Sequence, residues 1–588
     1  MSSARRHLAA IVIVIASVLA AAGCVSVPTS GPIEKVEGPQ PGCQNCVNVE
    51  VKPPALGDEP KKIVEGYLRA TSNYQPNYSV ARQFLTRMAA EKWSPEMGVR
   101  IYRGSPTAKP NNTVVLNGQL VGSLGPDRAY TASDKPLIIN FGLTQERGEW
   151  RISNPPAGLL VAEYSFNSFY QSYDRYFIGN GTSLVPDPIY LPALSNPANV
   201  ASALIKALLS GPSNWLRSAV TTAVPPNTSL SVDSVTITNG IAEVPLSDSV
   251  MALPDKQRGW LAAQIVYTLR QIGGIKGVLI KVNQQPYRVP GSDPNSLVIS
   301  IDAIPQEMDP VPFVAGEQLY AVQGGKIRRV TATSDSPTLE NLTGPLTDGR
   351  YPVNALAVSV ANTDFAATTN DRTVLRLAPI MSEEQPVTVL KDVSGLLRPQ
   401  FTRYGEIWAI GQKGGGQHIW MFTRDGKKVT RHDVESPMLK GVKAFKISPD
   451  GTRMALVRQI DKNRSQLELA TIIRSEKIMV SGPHRLDIAR TRLPAIDMIG
   501  DVAWLNATEL LVLGAGKVDT VYAPFRVAQD ASQINGQGNP ENWNAVELAV
   551  SPRRQTAIII GQHGHTWRDN GSQWLPFLNG VSTIAYPG

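Results

Sequence analysis

The stretch that decides the fold is KISPDGTRMALV at residues 446–457, where an apolar strand, a tight turn at Asp450-Gly451 and a second apolar strand follow one another. Similar stretches occur four more times after residue 301. The equivalent positions are Ser359, Thr402, Ser448, Leu505 and Ser551, at spacings of 43, 46, 57 and 46 residues. Such periods are typical of propeller blades, in which each apolar strand needs a neighbouring blade to cover it. We therefore predict a β-propeller of about six blades over residues 301–588.

Residues 176–300 predict an α+β unit. Asn196-Pro197 is typical of a helix start, since asparagine caps the first turn and proline suits the first helical position. Asn239-Gly240 favours a two-residue turn between two strands. The other predicted elements are a helix with Leu261, Ile265, Leu269 and Ile272 facing inward, and strands at 184–191, 231–238, 241–246 and 278–282.

Residues 59–175 predict a smaller α+β unit. Apolar residues at helical spacing predict two helices, with Ile63, Val64, Tyr67 and Leu68 in the first and Val80, Phe84, Leu85 and Met88 in the second. Strands are expected at 114–120, 137–143 and 149–153. This order resembles the cone-shaped nuclear-transport-factor-like (NTF2-like) superfamily. No histidine lies between His7 and His418, which excludes the Asp/His catalysis of such cones and leaves binding or scaffolding.

The N-terminus predicts an exported protein. Arg5 and Arg6 precede an apolar run at 8–22, which is short for a membrane span, and small residues follow up to Cys24. The ending resembles a bacterial lipobox, although Ala21 stands where leucine is commonest. The resemblance implies that residues 1–23 are a lipoprotein signal peptide, and that Cys24 carries a diacylglycerol and anchors the chain to the bilayer. The alternative is a plain signal peptide with an incidental cysteine.

Cys43 and Cys46 form a C-x-x-C pair in a Pro/Gly-rich stretch. A zinc site needs four ligands, and no histidine is near in sequence. A thioredoxin-like role needs a βαβ context that is missing here. A local disulfide in an oxidising compartment is the simpler interpretation. We therefore read residues 24–58 as a tether between the anchor and the folded units.

Charge points to a partner surface. The 588 residues carry a net charge of +8, and an exported protein of this charge is better suited to anionic envelope polymers, lipid headgroups or an acidic protein than to nucleic acid. Between Arg403 and Arg492 there are 18 basic and 9 acidic residues, densest at Lys440, Lys443, Lys446, Arg453 and Arg458. These five are candidate partner-binding residues. The alternative is a solvated rim of the propeller.

Motifs for chemistry are sparse. No G-x-S-x-G elbow occurs, and Gly514-Ala515-Gly516-Lys517 lacks residues that a phosphate loop requires. His563 and His565 lack the further ligands of a metal site. Gln264, Tyr267 and Thr268 could line a site, but packing or local capping is the simpler interpretation. We assign no catalytic residue, metal or cofactor, and we expect a protein that is not an enzyme.

Two resemblances extend this interpretation. The strings at 207–212, 223–225 and 263–269 resemble the sporulation and germination GerMN domain over residues 176–290. That family offers no established catalytic set. The order of lipobox, tether, α+β unit, GerMN-like unit and propeller resembles the actinobacterial LpqB lipoprotein family over essentially the whole chain. Arg258-Gly259-Trp260 fits this resemblance as well, whereas the Cys43/Cys46 pair is not a feature that we associate with it.

The LpqB resemblance implies an accessory protein of a two-component system, linked to the MtrB sensor kinase and the MtrA regulator in cell-wall homeostasis and division. The first hypothesis is a lipid-anchored regulator that binds the extracytoplasmic domain of the kinase. The alternative is a cell-wall glycan-binding protein or envelope hydrolase that uses the propeller.

Overall fold

The computed structural model describes residues 51–194, 196–314, 318–333, 336–426, 428–436, 439–488, 496–516, 521–538 and 545–588. The predicted signal peptide, Cys24 and the Cys43/Cys46 pair lie outside these described residues, so each of them stays a prediction. Within the described ranges, no helix combines the length and the apolar character needed to cross a membrane.

The N-terminal unit is a five-stranded sheet with helices packed against it. Its helices are α1 (Pro60–Ser72), α2 (Ser79–Gln83), α3 (Arg87–Lys92) and α4 (Glu163–Phe169). Its strands are β1 (Val99–Lys109), β2 (Thr113–Leu124), β3 (Tyr130–Glu146), β4 (Glu149–Asn154) and β5 (Leu159–Ala162). The order is β4-β3-β2-β1-β5, and β5 lies parallel to β1 whereas the other pairs are antiparallel.

The first predicted helix is confirmed, because α1 buries Ile63, Val64 and Tyr67 completely. The second is wrong as one continuous helix. Thr86 interrupts it, and its side-chain oxygen accepts a hydrogen bond from the Ala89 amide at 3.3 Å as the N-cap of α3. This new start turns Met88 outward, and 65% of Met88 is exposed.

The middle unit combines two helices with two small sheets. Its helices are α5 (Pro197–Leu209) and α6 (Asp255–Leu269). Its strands are β6 (Tyr170–Gly179), β7 (Ser183–Pro192), β8 (Val220–Thr221), β9 (Thr236–Thr238), β10 (Ile241–Leu246), β11 (Gly277–Val282), β12 (Gln285–Pro286) and β13 (Ile299–Ser300). One sheet has the order β7-β6-β8, and the other has the order β12-β11-β10-β9 with β13 also paired to β11.

The turn and cap signals of the middle unit are confirmed. The Asn196 side chain accepts a hydrogen bond from the Ala198 amide at 2.9 Å and caps α5. Asn239 and Gly240 have φ angles of 52° and 82°, the left-handed geometry of a tight hairpin turn between β9 and β10. The predicted strand at 231–238 is shorter in the structure, because only β9 pairs with β10.

The third unit consists of six four-stranded sheets within the described residues. The strands of its first half are β14 (Leu319–Gln323), β15 (Lys326–Thr333), β16 (Ser336–Asn341), β17 (Val353–Val358), β18 (Asp364–Thr369), β19 (Leu375–Pro379), β20 (Val387–Leu390), β21 (Gln400–Phe401), β22 (Ile407–Lys413), β23 (Gly416–Asp425) and β24 (Lys428–Val434). The strands of its second half are β25 (Val442–Ile447), β26 (Arg453–Asp461), β27 (Arg464–Arg474), β28 (Ile478–Leu486), β29 (Met498–Trp504), β30 (Glu509–Ala515), β31 (Ala523–Ala528), β32 (Ile534–Gly536), β33 (Ala545–Ser551), β34 (Thr556–Gly561), β35 (Thr566–Asp569), β36 (Trp574–Pro576) and β37 (Thr583–Ala585).

These sheets are the blades of the predicted propeller. Blade 1 contains β37 and β14 to β16, and blades 2 to 6 take four consecutive strands each from β17 onward. The last strand, β37, pairs with β14 and closes the ring. The first strands of neighbouring blades pack against one another, so β37, β17, β21, β25, β29 and β33 surround the central channel. The predicted propeller and its six blades are confirmed.

The five repeat positions read from the sequence are structurally equivalent. Each lies at the turn between the first and second strands of its blade, in blades 2 to 6. In four of them the backbone amide of the repeat residue closes the turn by donating to a backbone carbonyl across it. The pairs are Ser359 to Asp364 at 3.0 Å, Thr402 to Glu406 at 2.9 Å, Ser448 to Arg453 at 2.8 Å and Leu505 to Glu509 at 2.8 Å.

Candidate functional site

The hairpin of β6 and β7 in the middle unit rests on the turns of blades 3 and 4. The Ser183 hydroxyl donates to the Asp450 carbonyl at 3.3 Å, and the Tyr404 hydroxyl donates to the same carbonyl at 2.9 Å. Gly179 lies so close to Thr452 that a Cβ would stand 2.6 Å from its hydroxyl oxygen. This hairpin therefore fixes the middle unit on one face of the propeller.

Tyr190 joins all three units. It belongs to β7 of the middle unit, and its ring packs in the N-terminal core, 5.3 Å from the Phe166 ring and 5.9 Å from the Tyr130 ring. Its hydroxyl donates to Asp530 at 3.0 Å and also bonds Ser532, both in blade 5. Because the ring and the hydroxyl have partners in different units, motion between the units would break buried contacts.

The linker between β13 and β14 makes a further connection. Arg403 of blade 3 donates to the Asp309 carbonyl and to the Glu307 carbonyl, each at 2.6 Å. Arg553 of blade 6 lies 3.3 Å from the Asp309 carboxylate. Two arginines of the propeller thus hold the linker over the end of the channel.

Buried ion pairs support the junction from both sides. In the middle unit, Arg175 and Asp187 form a pair at 2.7 Å with side chains 0% and 1% exposed. The Ser213 amide and hydroxyl donate to the same carboxylate at 2.8 and 2.7 Å. In blade 4, Arg453 and Asp450 form a second pair with both side chains fully buried.

A cleft of about 650 Å³, open to solvent, lies where the three units meet. Each of the three units contributes to its lining. The N-terminal unit gives residues 125–131 except Arg128, the middle unit gives Asp187, Pro188, residues 210–215 and Arg217, and the propeller gives His484, Gln529 and Asp530. The Trp215 and His484 rings stack at 6.4 Å across it. Burial lowers the pKa of His484 and raises the pKa of Asp530.

Asp174 gives the junction a pH dependence. Burial, helped by nearby Asp187, Asp530 and Glu509, raises the pKa of Asp174 to about 7 against the opposing charge of Arg453. The unfolded aspartate ionises near pH 4, so the free energy of unfolding should fall as pH rises from about 4 to about 7. We expect Asp174→Asn to remove this fall and to be more stable than wild type by ~2 kcal/mol at pH 8 in urea unfolding.

The matched control for this pH dependence is Asp233→Asn, because the Asp233 side chain is 91% exposed. It should keep the wild-type dependence. An Asp174→Asn protein whose stability changed with pH as wild type does would contradict the assignment.

Inside the channel, charged side chains from the first-strand segments of three blades meet. Arg398, just before β21, pairs with Asp501 at 2.8 Å and with Glu547 at 3.3 Å, and it donates to the Leu548 carbonyl at 2.7 Å. The Leu548 amide donates to Asp501 at 2.8 Å. Because Arg398 reaches from blade 3 to blades 5 and 6, these groups form a polar layer across the channel.

Lys446 lies two residues before the repeat position of blade 4, near this layer. Burial and the Arg398 charge lower the pKa of Lys446 to about 8, against the opposing effect of Asp501 and Glu547. It lines a cavity of about 50 Å³ at the channel end that the linker covers.

The five candidate partner-binding residues do not form one exposed face. Lys440 is exposed and Lys443 and Lys446 are partly buried. Arg453 is fully buried, where it donates to Asp450, Gln529 and the Ala507 carbonyl, and its guanidinium lies 4.9 Å from the Trp504 ring centroid. Arg458 is held by Glu468 at 2.8 Å. Only Lys440 and Lys443 therefore remain available to a partner.

The remaining candidates of the sequence are accounted for by packing or exposure. Gln264 is fully buried, accepts from the Ala223 amide at 2.8 Å and donates to the Tyr176 carbonyl at 2.7 Å. Tyr267 and Thr268 are buried beside it. His563 and His565 are exposed, and the His565 ring bonds Asn579 at 2.7 Å. The described residues contain no cluster of three or more potential metal ligands.

Sequence reasoning missed the channel layer. Its signal was present, because Arg398, Asp501 and Glu547 each stand four residues before a repeat position (Thr402, Leu505 and Ser551). Gln400 and Lys446 stand two residues before theirs. Since side chains alternate along a strand, such even offsets place residues on the channel side of the first strand.

The fold and the junction define a class of protein: a β-propeller with two α+β units fused ahead of it and docked on one of its faces. Three family models match the chain: "Lipoprotein LpqB, N-terminal domain" at residues 53–167, "Sporulation and spore germination" at 174–288, and "Lipoprotein LpqB beta-propeller domain" at 329–587. The chain belongs to the LpqB lipoprotein family. The GerMN and LpqB resemblances stated from the sequence are thereby confirmed.

Relatives named Lipoprotein LpqB match over nearly the whole chain. The protein of Cutibacterium acnes is 28% identical over 590 residues, which cover 96% of each chain. That of Thermobifida fusca is 25% identical and covers 96% of this chain and 97% of its own. That of Streptomyces avermitilis is 23% identical and covers 96% of each. The three units thus occur together in these relatives.

Proposed function

We propose that this protein is a lipid-anchored binding protein on the extracytoplasmic face of the cell membrane. There it regulates the sensor histidine kinase of an MtrAB-type two-component system in cell-envelope homeostasis, without catalysing a reaction. Acylated Cys24 holds it to the bilayer, and the tether at 24–58 sets its reach. The lipoprotein family to which the chain belongs supports the anchor.

The observation that carries the binding role is the Tyr190 junction. The Tyr190 hydroxyl forms hydrogen bonds with blade 5, and Ser183 contacts blade 4. Together these contacts connect three units through buried polar groups. A body fixed in this way presents a surface of constant shape. Recognition of a folded ectodomain by such a surface loses little ordering entropy, which favours affinity.

The open face of the propeller is the surface that we assign to the partner. The Asp450 end of blade 4 contacts the middle unit, whereas Lys440, just before β25, and Lys443, near its start, lie at the opposite end of that first strand. The lysines therefore project from the face that the middle unit leaves free. An acidic surface on the kinase ectodomain would complement them.

Replacing Lys440 and Lys443 together by glutamate should weaken binding of the acidic partner about tenfold at low salt, and should reduce the salt dependence of binding. The reason is that attraction between exposed opposite charges becomes repulsion. Affinity can be measured by surface plasmon resonance at several salt concentrations.

The control is Lys428→Glu combined with Lys109→Glu, since both lysines are exposed and the change in net charge is the same. Lys428 lies at the opposite end of its blade from the end that Lys440 and Lys443 occupy in blade 4. Lys109 lies in the N-terminal unit. Equal losses in the two double variants would show a general charge effect and would remove the assigned face.

A pull-down separates this role from the glycan-directed alternative. The mature lipoprotein is presented to detergent-solubilised membranes and, separately, to purified cell wall. Retention of the sensor kinase supports the proposal. Binding to wall with release of soluble fragments, and no kinase retained, would replace it with a wall-directed enzyme.

A further inference from the structure

The cavity at the covered end of the propeller channel is enclosed by the ends of several blades. Its walls come from blades 2 to 6, from the C-terminal end of the chain and from the linker at 311–314, and its volume is about 50 Å³. Phe401, Trp504 and Val550 make much of this wall apolar. A small ligand there would be partly removed from water.

Two hydrogen-bond donors in this wall have no partner among the residues that the structure describes. Gln400 is 3% exposed, and its Nε2 atom has no hydrogen-bond partner in the described part of the chain. Lys446 lines the same cavity on the next blade. Arg398 takes both Asp501 and Glu547 as ion-pair partners, which leaves the Lys446 ammonium without an ion pair among the described residues.

Gln400 and Lys446 lie at the same level of the channel. Each stands two residues before its repeat position, on the first strands of blades 3 and 4. The equivalent residues of blades 2, 5 and 6 are Ala357, Ala503 and Ala549, and Ala503 lines the same cavity as the two donors. The Gln400 amide and the Lys446 ammonium therefore lie together on the cavity wall, where both can donate to a hydrogen-bond acceptor of a ligand.

The charge of Lys446 and the apolar walls of the cavity restrict the class of ligand that it can bind. A buried amide without a partner costs free energy, and an anion accepting from Nε2 and from the ammonium would satisfy both donors. Arg403 and Arg553 also line the cavity, but Arg403 donates to linker carbonyls and Arg553 pairs with Asp309. Lys446 is then the lining cation without a partner among the described residues, which matches a single negative charge. The apolar wall suits an apolar body behind that charge.

We propose that this cavity binds a small organic monocarboxylate with an apolar body, whose carboxylate accepts hydrogen bonds from Lys446 Nζ and Gln400 Nε2. This site is separate from the open face that we assign to the kinase, and its proposal does not depend on the kinase role. Because the pKa of Lys446 lies at about 8, binding weakens as pH rises through that value.

Hexanoate is the probe, titrated calorimetrically into the full-length chain in detergent micelles, with the heat from protein-free micelles subtracted. Wild type should bind it saturably at pH 7. Lys446→Met should lower the affinity at least tenfold, Gln400→Leu should lower it several-fold, and hexanamide, which lacks the charge, should bind at least tenfold more weakly. Lys446→Arg, which keeps the charge, should retain part of the affinity.

Lys462→Met is the matched control, because Lys462 is exposed in a turn of the same blade between β26 and β27. It should bind hexanoate as wild type does. Thermal unfolding of each variant establishes that the propeller is intact. Absent binding, equal affinity for hexanoate and hexanamide, or an unchanged Lys446→Met variant would overturn the proposal. Binding of inorganic phosphate in place of hexanoate would overturn the carboxylate assignment.

Discussion

Replacing Asp187 by alanine should lower the free energy of unfolding by about 3–5 kcal/mol, because Arg175 would keep a buried charge without its counter-ion. The Arg175 side chain is 0% exposed, and its other hydrogen-bond partners are the neutral carbonyls of Ala207 and Gly211 at 3.2 and 3.0 Å. The substitution also leaves the Ser213 amide and hydroxyl without their acceptor. Urea unfolding followed by circular dichroism measures the loss.

Asp233→Ala is the matched control for that loss. Asp233 pairs with Lys206 in the same unit at the same distance of 2.7 Å, but its side chain is 91% exposed. Water and salt screen such a pair, so its removal should cost less than about 1 kcal/mol. Equal losses in the two variants would mean that burial of the Arg175–Asp187 pair does not determine its contribution.

Replacing Cys24 by alanine should move the protein out of the membrane fraction and abolish its effect on kinase signalling. Each buried methylene of an acyl chain contributes about 0.8 kcal/mol to membrane binding, so two chains hold the protein stably and their loss releases it. The folded units should be unaffected, since Cys24 precedes all of them. Fractionation, together with a reporter gene of the two-component system, measures both effects.

The control for the anchor is Cys43→Ala, which removes a thiol from the tether outside the lipobox. This variant should remain in the membrane fraction and signal normally. A Cys24→Ala protein that stayed membrane-bound, or that signalled at the wild-type level after release, would contradict the assigned role of the anchor.

The blades could be predicted because one turn recurs. Ser359, Thr402, Ser448, Leu505 and Ser551 mark the same position in five blades, and the apolar strand after each needs a covering neighbour. The break at Thr86 was missed, because an N-cap inside an apolar pattern leaves the helical spacing intact. Local hydrogen bonding decided that boundary rather than periodicity.

The candidate site was harder to predict, since its contacts join distant parts of the chain. A count of charged residues treats every arginine as exposed. Arg453 is instead buried, and it donates a hydrogen bond to Gln529, which lies 76 residues away in the sequence. The Ser183–Asp450 contact spans 267 residues. No spacing rule reaches across two units, so the docking of the middle unit could be found only in the structure.

The most direct test of the proposed function is the affinity of the lipidated, full-length protein in nanodiscs for the purified extracytoplasmic domain of the sensor kinase. We predict saturable binding that weakens with salt and that is about tenfold weaker at low salt when Lys440 and Lys443 are both replaced by glutamate. Absence of binding at any salt concentration, with the protein shown to be folded and lipidated, would contradict the proposed function.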